Sequence, residues 1–383
     1  MKKRTVFTRI VVLILALVLV TACGSPQPAP QPANNEPAAQ PGADSQTADS
    51  PAGNGDKPLI GVLVWDFTNQ YCTYIRNAIR HYGNEHATIE LVDSQADQTK
   101  QNDQIDALLQ RDVDALMVAM VQPTAAPTII DKVKAYNERT GKHIPLIFWN
   151  QAPTPEDIAL YDNAFYSGCD PYDGGVLQAQ MAIDAIKANP SLYDKNGDGK
   201  IQYVILKGMA GHPDAELCTQ GNVDTFEAST EVLFERLDIQ NADWATAPAK
   251  DITDAWIGRY GDNIELILSN NDGMMLGAIE AFTGAGWFGE DESKRLLMIA
   301  HDGIPEIQTF IESGIVFGAF MQNPVEEGRG AVTMALNLLN GRPVEADLHA
   351  PLGDMKDYRA PFTEITKDNL HVAAEIYQIA LGN

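Results

Sequence analysis

The chain has 383 residues, 45% of them hydrophobic, and its 27 Lys and Arg stand against 52 Asp and Glu for a formal charge of -25. So acidic a surface excludes a nucleic-acid backbone as an expected partner. The length leaves room for two domains of ordinary size once flanking segments are set aside.

Lys2, Lys3, Arg4 and Arg9 lead into the apolar run from Ile10 to Val20, and the segment closes on Ala22 before Cys23. The run is shorter than the roughly 20 residues a bilayer crossing needs, so residues 1–22 are expected to be a secretory signal peptide. A small residue directly before Cys23 has the form of a bacterial lipoprotein box, in which the cysteine carries lipid and anchors the chain to the outer face of a membrane. Residues 23–56 are rich in Pro, Ala, Gln and Ser and hold little to bury, the composition of a disordered tether. Loss of residues 1–22 removes four basic groups and no acidic one, taking the formal charge from -25 to -29. Three cysteines remain beyond Cys23: Cys72, Cys169 and Cys218. An odd number cannot complete a disulfide framework, and free thiols are expected.

Apolar runs of strand length then alternate with amphipathic stretches of helix length. Strand patterns at Leu59–Trp65, Thr88–Val92, Ala115–Val121 and Ile144–Trp149 are separated by helical patterns at Tyr74–Asn84, Gln98–Arg111 and Thr128–Asn137. A second series starts near Ala164 and runs through Ile201–Leu206, Ile264–Ser269, Leu296–Ala300 and Val316–Met321, with helical patterns between. Such alternation implies α/β lobes with doubly wound parallel sheets, and two series imply two lobes.

Open parallel sheets bind ligands beyond the carboxyl ends of their strands. The residues there are Asp66 to Tyr71, Asn150, Gly208 to Asp214, Asn270 to Asp272, His301 with Asp302, and Gln322 with Asn323. They are amides, carboxylates and aromatics with few formal cations. Planar carboxylates and amides grip neighbouring hydroxyls, and aromatic rings lie against the C–H faces of a pyranose, so a sugar fits the set. Any one of these Asn or Asp residues is equally at home as a turn former or helix cap; six strand ends with one chemistry favour a site.

The stretch Asp194-Lys-Asn-Gly-Asp-Gly-Lys-Ile-Gln202 starts like an EF-hand loop. Asp194, Asn196, Asp198, the Lys200 carbonyl and Gln202 fill positions 1, 3, 5, 7 and 9, with Gly199 at the sharp turn. Position 12, where a bidentate glutamate belongs, is Ile205 inside a strand pattern, so no exiting helix follows.

Ser94–Leu116, Asp194–Glu216 and Ile264–Ala281 closely resemble the bacterial D-galactose/D-glucose-binding proteins, the periplasmic solute receptors of sugar ABC transporters, which in some bacteria also serve chemotaxis. The resemblance runs from about Leu59 to Leu370. It implies the type I periplasmic binding fold, with lobes of residues 57–167 plus 323–354 and 168–322 plus 355–383. The three hinge crossings are expected near Ser167–Asp170, Gln322–Pro324 and Leu352–Asp357. It further implies sugar contacts at Asn150, His212, Asp214, Trp244, Asn271 and Asp302, which match the family in residue type, with Tyr71 and Trp244 flanking the ring. Tyr71 stands where the family has phenylalanine, Asn69 where it has aspartate, Gln322 where it has asparagine, and Cys218 where it has arginine. Exchange of a guanidinium for a thiol costs on the order of 1.5–3 kcal/mol for a charged hydrogen bond, so Cys218 bears on which sugar is taken.

The resemblance also implies the missing sixth calcium ligand, Glu265 on a neighbouring strand, giving a structural Ca2+ held by Asp194, Asn196, Asp198, Lys200, Gln202 and Glu265. Expected partners are a monosaccharide, a membrane permease and, in bacteria where relatives serve chemotaxis, a chemoreceptor; the chain is expected to act as a monomer. An exported glycoside-cleaving enzyme using His212, Asp214 or Asp302 is the competing class, disfavoured because amide-rich sites lack a nucleophile. A sugar-responsive repressor is disfavoured because a signal peptide and tether stand where a DNA-binding helix-turn-helix belongs.

Overall fold

In the computed structural model, residues 57–289 and 294–382 are described; the signal peptide, Cys23 and the tether expected at residues 1–56 lie outside them. Two six-stranded sheets organise the described residues. The first runs β2 (Thr88–Asp93), β1 (Leu59–Val64), β3 (Ala115–Val118), β4 (Leu146–Trp149), β5 (Ala164–Gly168) and β11 (Asp357–Arg359), all parallel. The second runs β7 (Phe234–Asn241), β6 (Ile201–Lys207), β8 (Leu266–Ser269), β9 (Leu297–His301), β10 (Gly318–Met321) and β12 (Thr363–Thr366), parallel except for the last pair.

Among the described residues twelve α-helices connect and cover the sheets: α1 (Gln70–Gly83), α2 (Gln98–Gln110), α3 (Ala126–Thr140), α4 (Pro155–Ile158), α5 (Pro171–Ala188), α6 (Pro190–Tyr193), α7 (Pro213–Ala228), α8 (Thr246–Tyr260), α9 (Asp272–Gly284), α10 (Pro305–Ser313), α11 (Pro324–Leu339) and α12 (Leu370–Ala380).

Strand side chains alternate between the sheet faces. Ile60, Val62 and Val64 pack with Ile75, Ile79 and Val332 of α1 and α11, while Leu63 packs with Ile105, Ile129 and Val133 of α2 and α3. A sheet buried on both faces needs the near-continuous apolar runs that the sequence displays. The second sheet repeats the pattern, with Val204 and Ile267 towards α9 and Tyr203, Ile205 and Leu268 towards α5.

Helices begin where strands end, and their first residues are capped there. Asn69 accepts from Cys72 N at 2.9 Å, Asn271 from Met274 N at 2.9 Å, and the Nδ1 of His212 from Asp214 N at 3.3 Å. Capping by Asn69 starts α1 four residues before the expected Tyr74.

Three expectations are corrected. Ala164–Gly168 opens no second series; it pairs with β4 and is the fifth strand of the first sheet. The third crossing lies at residues 360–362, not at Leu352–Asp357, because Asp357–Arg359 pairs in parallel with Tyr166–Gly168, and residues 355–359 therefore stay with the first lobe. Phe234–Asn241, within the stretches read as helical, is an edge strand, half exposed and thus without the apolar run of a buried one.

Candidate functional site

The carboxyl ends of both sheets face one cavity of about 140 Å3. All ten residues singled out as sugar contacts line it: Asn69, Tyr71 and Asn150 from the first lobe, His212, Asp214, Cys218, Trp244, Asn271 and Asp302 from the second, and Gln322 at a crossing between them. The lobes also meet beside it, where Gln70 Nε2 donates to Glu306 Oε1 at 2.9 Å and Asn77 Nδ2 to the Ala380 carbonyl at 2.9 Å.

Backbone strain marks the site. Asn150, Trp244 and Asp302 have φ of 63°, 62° and 98°, a region that costs a non-glycine residue of order 1–3 kcal/mol and persists where the surroundings enforce it. For Trp244 the surroundings are visible: a Cβ on Gly208 would fall 2.3 Å from its indole, so the bare backbone of Gly208 is the floor on which the ring lies. His212 leans edge-on against the same ring, centroids 5.5 Å apart.

Burial lifts the Asp214 carboxyl above its ordinary value, against the lowering pull of His212 and Arg359. Asp302 is raised further, by burial and then by the neighbouring Asp272 charge. Burial pushes the Cys218 thiol up to about 12, with the Asp302 and Asp214 charges adding to it, so the thiol is protonated and neutral. Asp272 accepts from His301 N at 3.0 Å and Ile304 N at 2.7 Å, fixing the turn that presents Asp302.

Residues not named among the sugar contacts line the cavity too, among them Trp65, Gln151, Cys169, Asn270 and His301. Asn270 and His301 stand at strand ends already singled out, and Gln151 follows Asn150, so the strand-end rule reaches them. Each holds a buried polar atom with no partner: Gln151 Oε1, Asn270 Nδ2 and His301 Nδ1. Trp65 lines the cavity, while the fully buried Trp149 packs behind it.

Glu327 gave no signal in the sequence and is the hinge's central carboxylate. Its Oε1 takes the Gln322 amide at 2.6 Å and lies 3.0 Å from the Tyr71 hydroxyl, which is also 3.0 Å from the Gln322 carbonyl. Burial raises its carboxyl to about 8.

The EF-hand-like loop closes on Glu265, which is fully buried. Its Oε1 accepts from Lys195 N at 2.6 Å and its Oε2 from Gln202 N at 3.1 Å. Amides bridge the remaining donors: Asn196 Nδ2 to Gln202 Oε1 at 2.9 Å and Gln202 Nε2 to Asp198 Oδ2 at 2.8 Å. Asp194 Oδ1 is buried without a partner. Among the described residues no three His, Cys, Asp or Glu side chains are drawn into one ready metal cluster; the acids here are spaced by amides, and all the donors are oxygens, which suits a hard cation.

Two doubly wound lobes, three crossings and a strained polar cavity between strand ends define a hinged two-lobed ligand receptor of the type I fold. Residues 60–343 match the periplasmic binding protein domain. The chain belongs to the periplasmic binding protein family and is a solute-binding protein. The D-galactose/methyl-galactoside binding periplasmic protein of Haemophilus influenzae is 38% identical over 314 residues, 81% of this chain and 90% of that one. The ribose import binding protein of Bacillus subtilis is 23% identical over 348 residues, 89% and 96% of the two chains. In fold, the chain is similar to an ABC transporter solute binding protein from Actinobacillus succinogenes with bound D-allose, with a TM-score of 0.67 at 21% identity over 82% of this chain and all of that one. A Bacillus halodurans counterpart with bound myo-inositol gives 0.67 at 22% identity, over 84% of this chain and all of that one.

Proposed function

We propose that the chain is a lipid-anchored extracytoplasmic receptor that takes a monosaccharide, galactose- or glucose-like in frame, into the cleft and delivers it to an ABC transporter permease. One observation carries this reading: amides, carboxylates and aromatics from strand ends of two separately folded sheets meet in one cavity at the crossings between lobes. Hinge motion at residues 169–170, 322–323 and 360–362 closes the lobes on the ligand, Tyr71 and Trp244 flanking its ring while Asn69, Asn150, His212, Asp214, Asn271, Asp302 and Gln322 take its hydroxyls. The closed form docks on the permease and, where relatives serve chemotaxis, on a chemoreceptor.

Calorimetry over hexoses, pentoses and nucleosides, with small-angle scattering on each binder, tests the reading; binding without compaction overturns it. Turnover of a labelled disaccharide would replace it with an enzyme. Among the described residues no helix is long and apolar enough to cross a membrane. The proposed anchor is lipid on Cys23, and Cys23→Ala should release the chain from the membrane fraction.

The loop at Asp194–Gln202 fits calcium. Rotation of the Asn196 and Gln202 amides would turn their oxygens to the carboxylates' side, and Asp194, Asn196, Asp198, the Lys200 carbonyl, Gln202 and Glu265 would then hold the ion. When bound it would supply a positive charge among Asp194, Asp198 and the buried Glu265. Calcium at a hundred times its Kd would stabilise the fold by about 2.7 kcal/mol, read as a melting shift that a chelator abolishes.

A further inference from the structure

We infer that the ligand is a cationic polyol, an amine-bearing sugar or cyclitol whose ammonium sits between Asp214 and Asp302. The inference rests on the reading of the cleft as a polyol site and names its chemical class.

Asp214, in the first turn of α7, and Asp302, at the end of β9, both line the cavity. Cys218, one turn beyond Asp214, lies within the field of both acids and is neutral. Among the described residues no Lys or Arg lines the cavity. Arg359 is occupied elsewhere: its Nε donates to Asp357 Oδ2 at 2.5 Å, its Nη1 to the Cys169 carbonyl, and its guanidinium lies 4.9 Å from the centre of the Tyr166 ring.

His301 does not supply the charge: it is held neutral by burial, which pushes it down to about 4. His212 meets Asp214 through the backbone, its Nδ1 accepting from Asp214 N. The helix N-termini are partial positive charges, but those of α1, α7 and α9 are already capped by Asn69, His212 and Asn271.

Buried Asp302 is thus left without a cationic partner at the cavity wall, and the pull of His212 and Arg359 on Asp214 does not offset its desolvation; burying such groups unpaired is costly. A ligand hydroxyl offers them one donor and no charge; an ammonium offers three donors and the missing charge. Gln151 adds an open acceptor for a ligand donor of either kind: it is 6% exposed, lines the cavity, and its buried Oε1 has no donor.

Calorimetry at pH 7 on the folded chain, comparing D-galactose, D-glucose and myo-inositol each with its monoamine and N-acetylated monoamine, tests this. At least one amine should bind tenfold or more tightly than its parent, and acetylation should remove the gain. Asp214→Asn should reduce the gain to within threefold, and Cys218→Arg, which places a guanidinium where the ammonium sits, should reverse the order. If Asp214→Asn fails to fold, Asp302→Asn carries the same readout. Parents that bind as tightly as their amines, or a gain that survives loss of either acid, overturn the inference and leave the polyol reading standing. Absence of binding by every parent and every amine removes both.

Discussion

Two polar sites lie at opposite ends of one strand. β6 is seven residues long, about 23 Å at 3.3 Å per residue; the EF-hand-like loop feeds its start and the cleft opens beyond its end. Both contain buried acids, yet their accounts of hydrogen bonds differ. At the loop, Glu265 is answered by backbone N–H groups of Lys195 and Gln202, and Asn196, Asp198 and Gln202 answer one another. At the cleft, Gln151 Oε1, Asn270 Nδ2 and His301 Nδ1 are buried with nothing to meet them, and Asn150, Trp244 and Asp302 hold strained backbone. Buried polar atoms are nearly always paired in native structures. The loop leaves one buried atom open, Asp194 Oδ1, where the cleft leaves three; a region that closes most of its own accounts belongs to the fold, and one that leaves them open belongs to something that comes and goes.

Glu265→Ala would break this comparison most severely. It strands the Lys195 and Gln202 N–H groups and removes a buried carboxylate, for a loss of roughly 3–5 kcal/mol of stability. Chemical denaturation should show that loss, while Kd for the cleft ligand in the folded fraction changes less than twofold. A coupled loss of binding would mean that the two ends of β6 are one site.

Trp244→Ala is the mirror image. Truncation of an aromatic that walls the cleft should weaken ligand binding by about 2–3 kcal/mol, on the order of a hundredfold, and cost less in stability than in binding, since the ring is only partly buried against the core and rests on Gly208 at the cavity.

A smaller effect separates hinge from cleft. The Glu327 carboxyl is raised to about 8 by burial. An acid with a raised folded value binds more protons folded than unfolded, so its stabilising contribution is full below about pH 4.5 and is lost as pH rises to about 8. Stability should therefore fall across that window, and Glu327→Gln should flatten the slope. His301, held down at about 4, acts in the opposite sense: its contribution appears as pH rises from about 4 to 6.5, so the steepest decline belongs above pH 6.5.

Legibility in the sequence followed the same division. The loop is contiguous, so position-by-position oxygen spacing exposed it, and only Glu265 needed the resemblance. The cleft is assembled from six strand ends, legible because β1, β4, β6, β8 and β9 are buried on both faces and read as apolar runs. The hinge was the least legible. β11 is three residues, Asp-Tyr-Arg, too short for any period, and so the third crossing was placed early and Arg359 went unseen. Glu327 looks like an ordinary first-turn acid of α11; only the third dimension brings it under Tyr71. β7 was hidden by half exposure, which replaces an apolar run with Phe-Glu-Arg-Leu-Asp-Ile-Gln-Asn.

Tyr71→Phe makes the smallest change and asks to which region the hydroxyl belongs. The Tyr71 Oη lies 3.0 Å from both Glu327 Oε1 and the Gln322 carbonyl, and its one proton serves one of them at a time. Removal leaves Glu327 Oε1 with the Gln322 amide alone and Oε2 still without a partner, a loss of about 1 kcal/mol. A carboxylate with one donor fewer holds its proton more tightly, so the pH window of stability should shift upward in Tyr71→Phe and be absent in the double variant with Glu327→Gln. The ring itself stays at the cavity wall, and ligand Kd should change less than threefold. A tenfold loss of affinity with an unchanged pH profile would assign the hydroxyl to the ligand instead of the hinge, and Tyr71 would then be read as a donor to the sugar rather than a ring against its face.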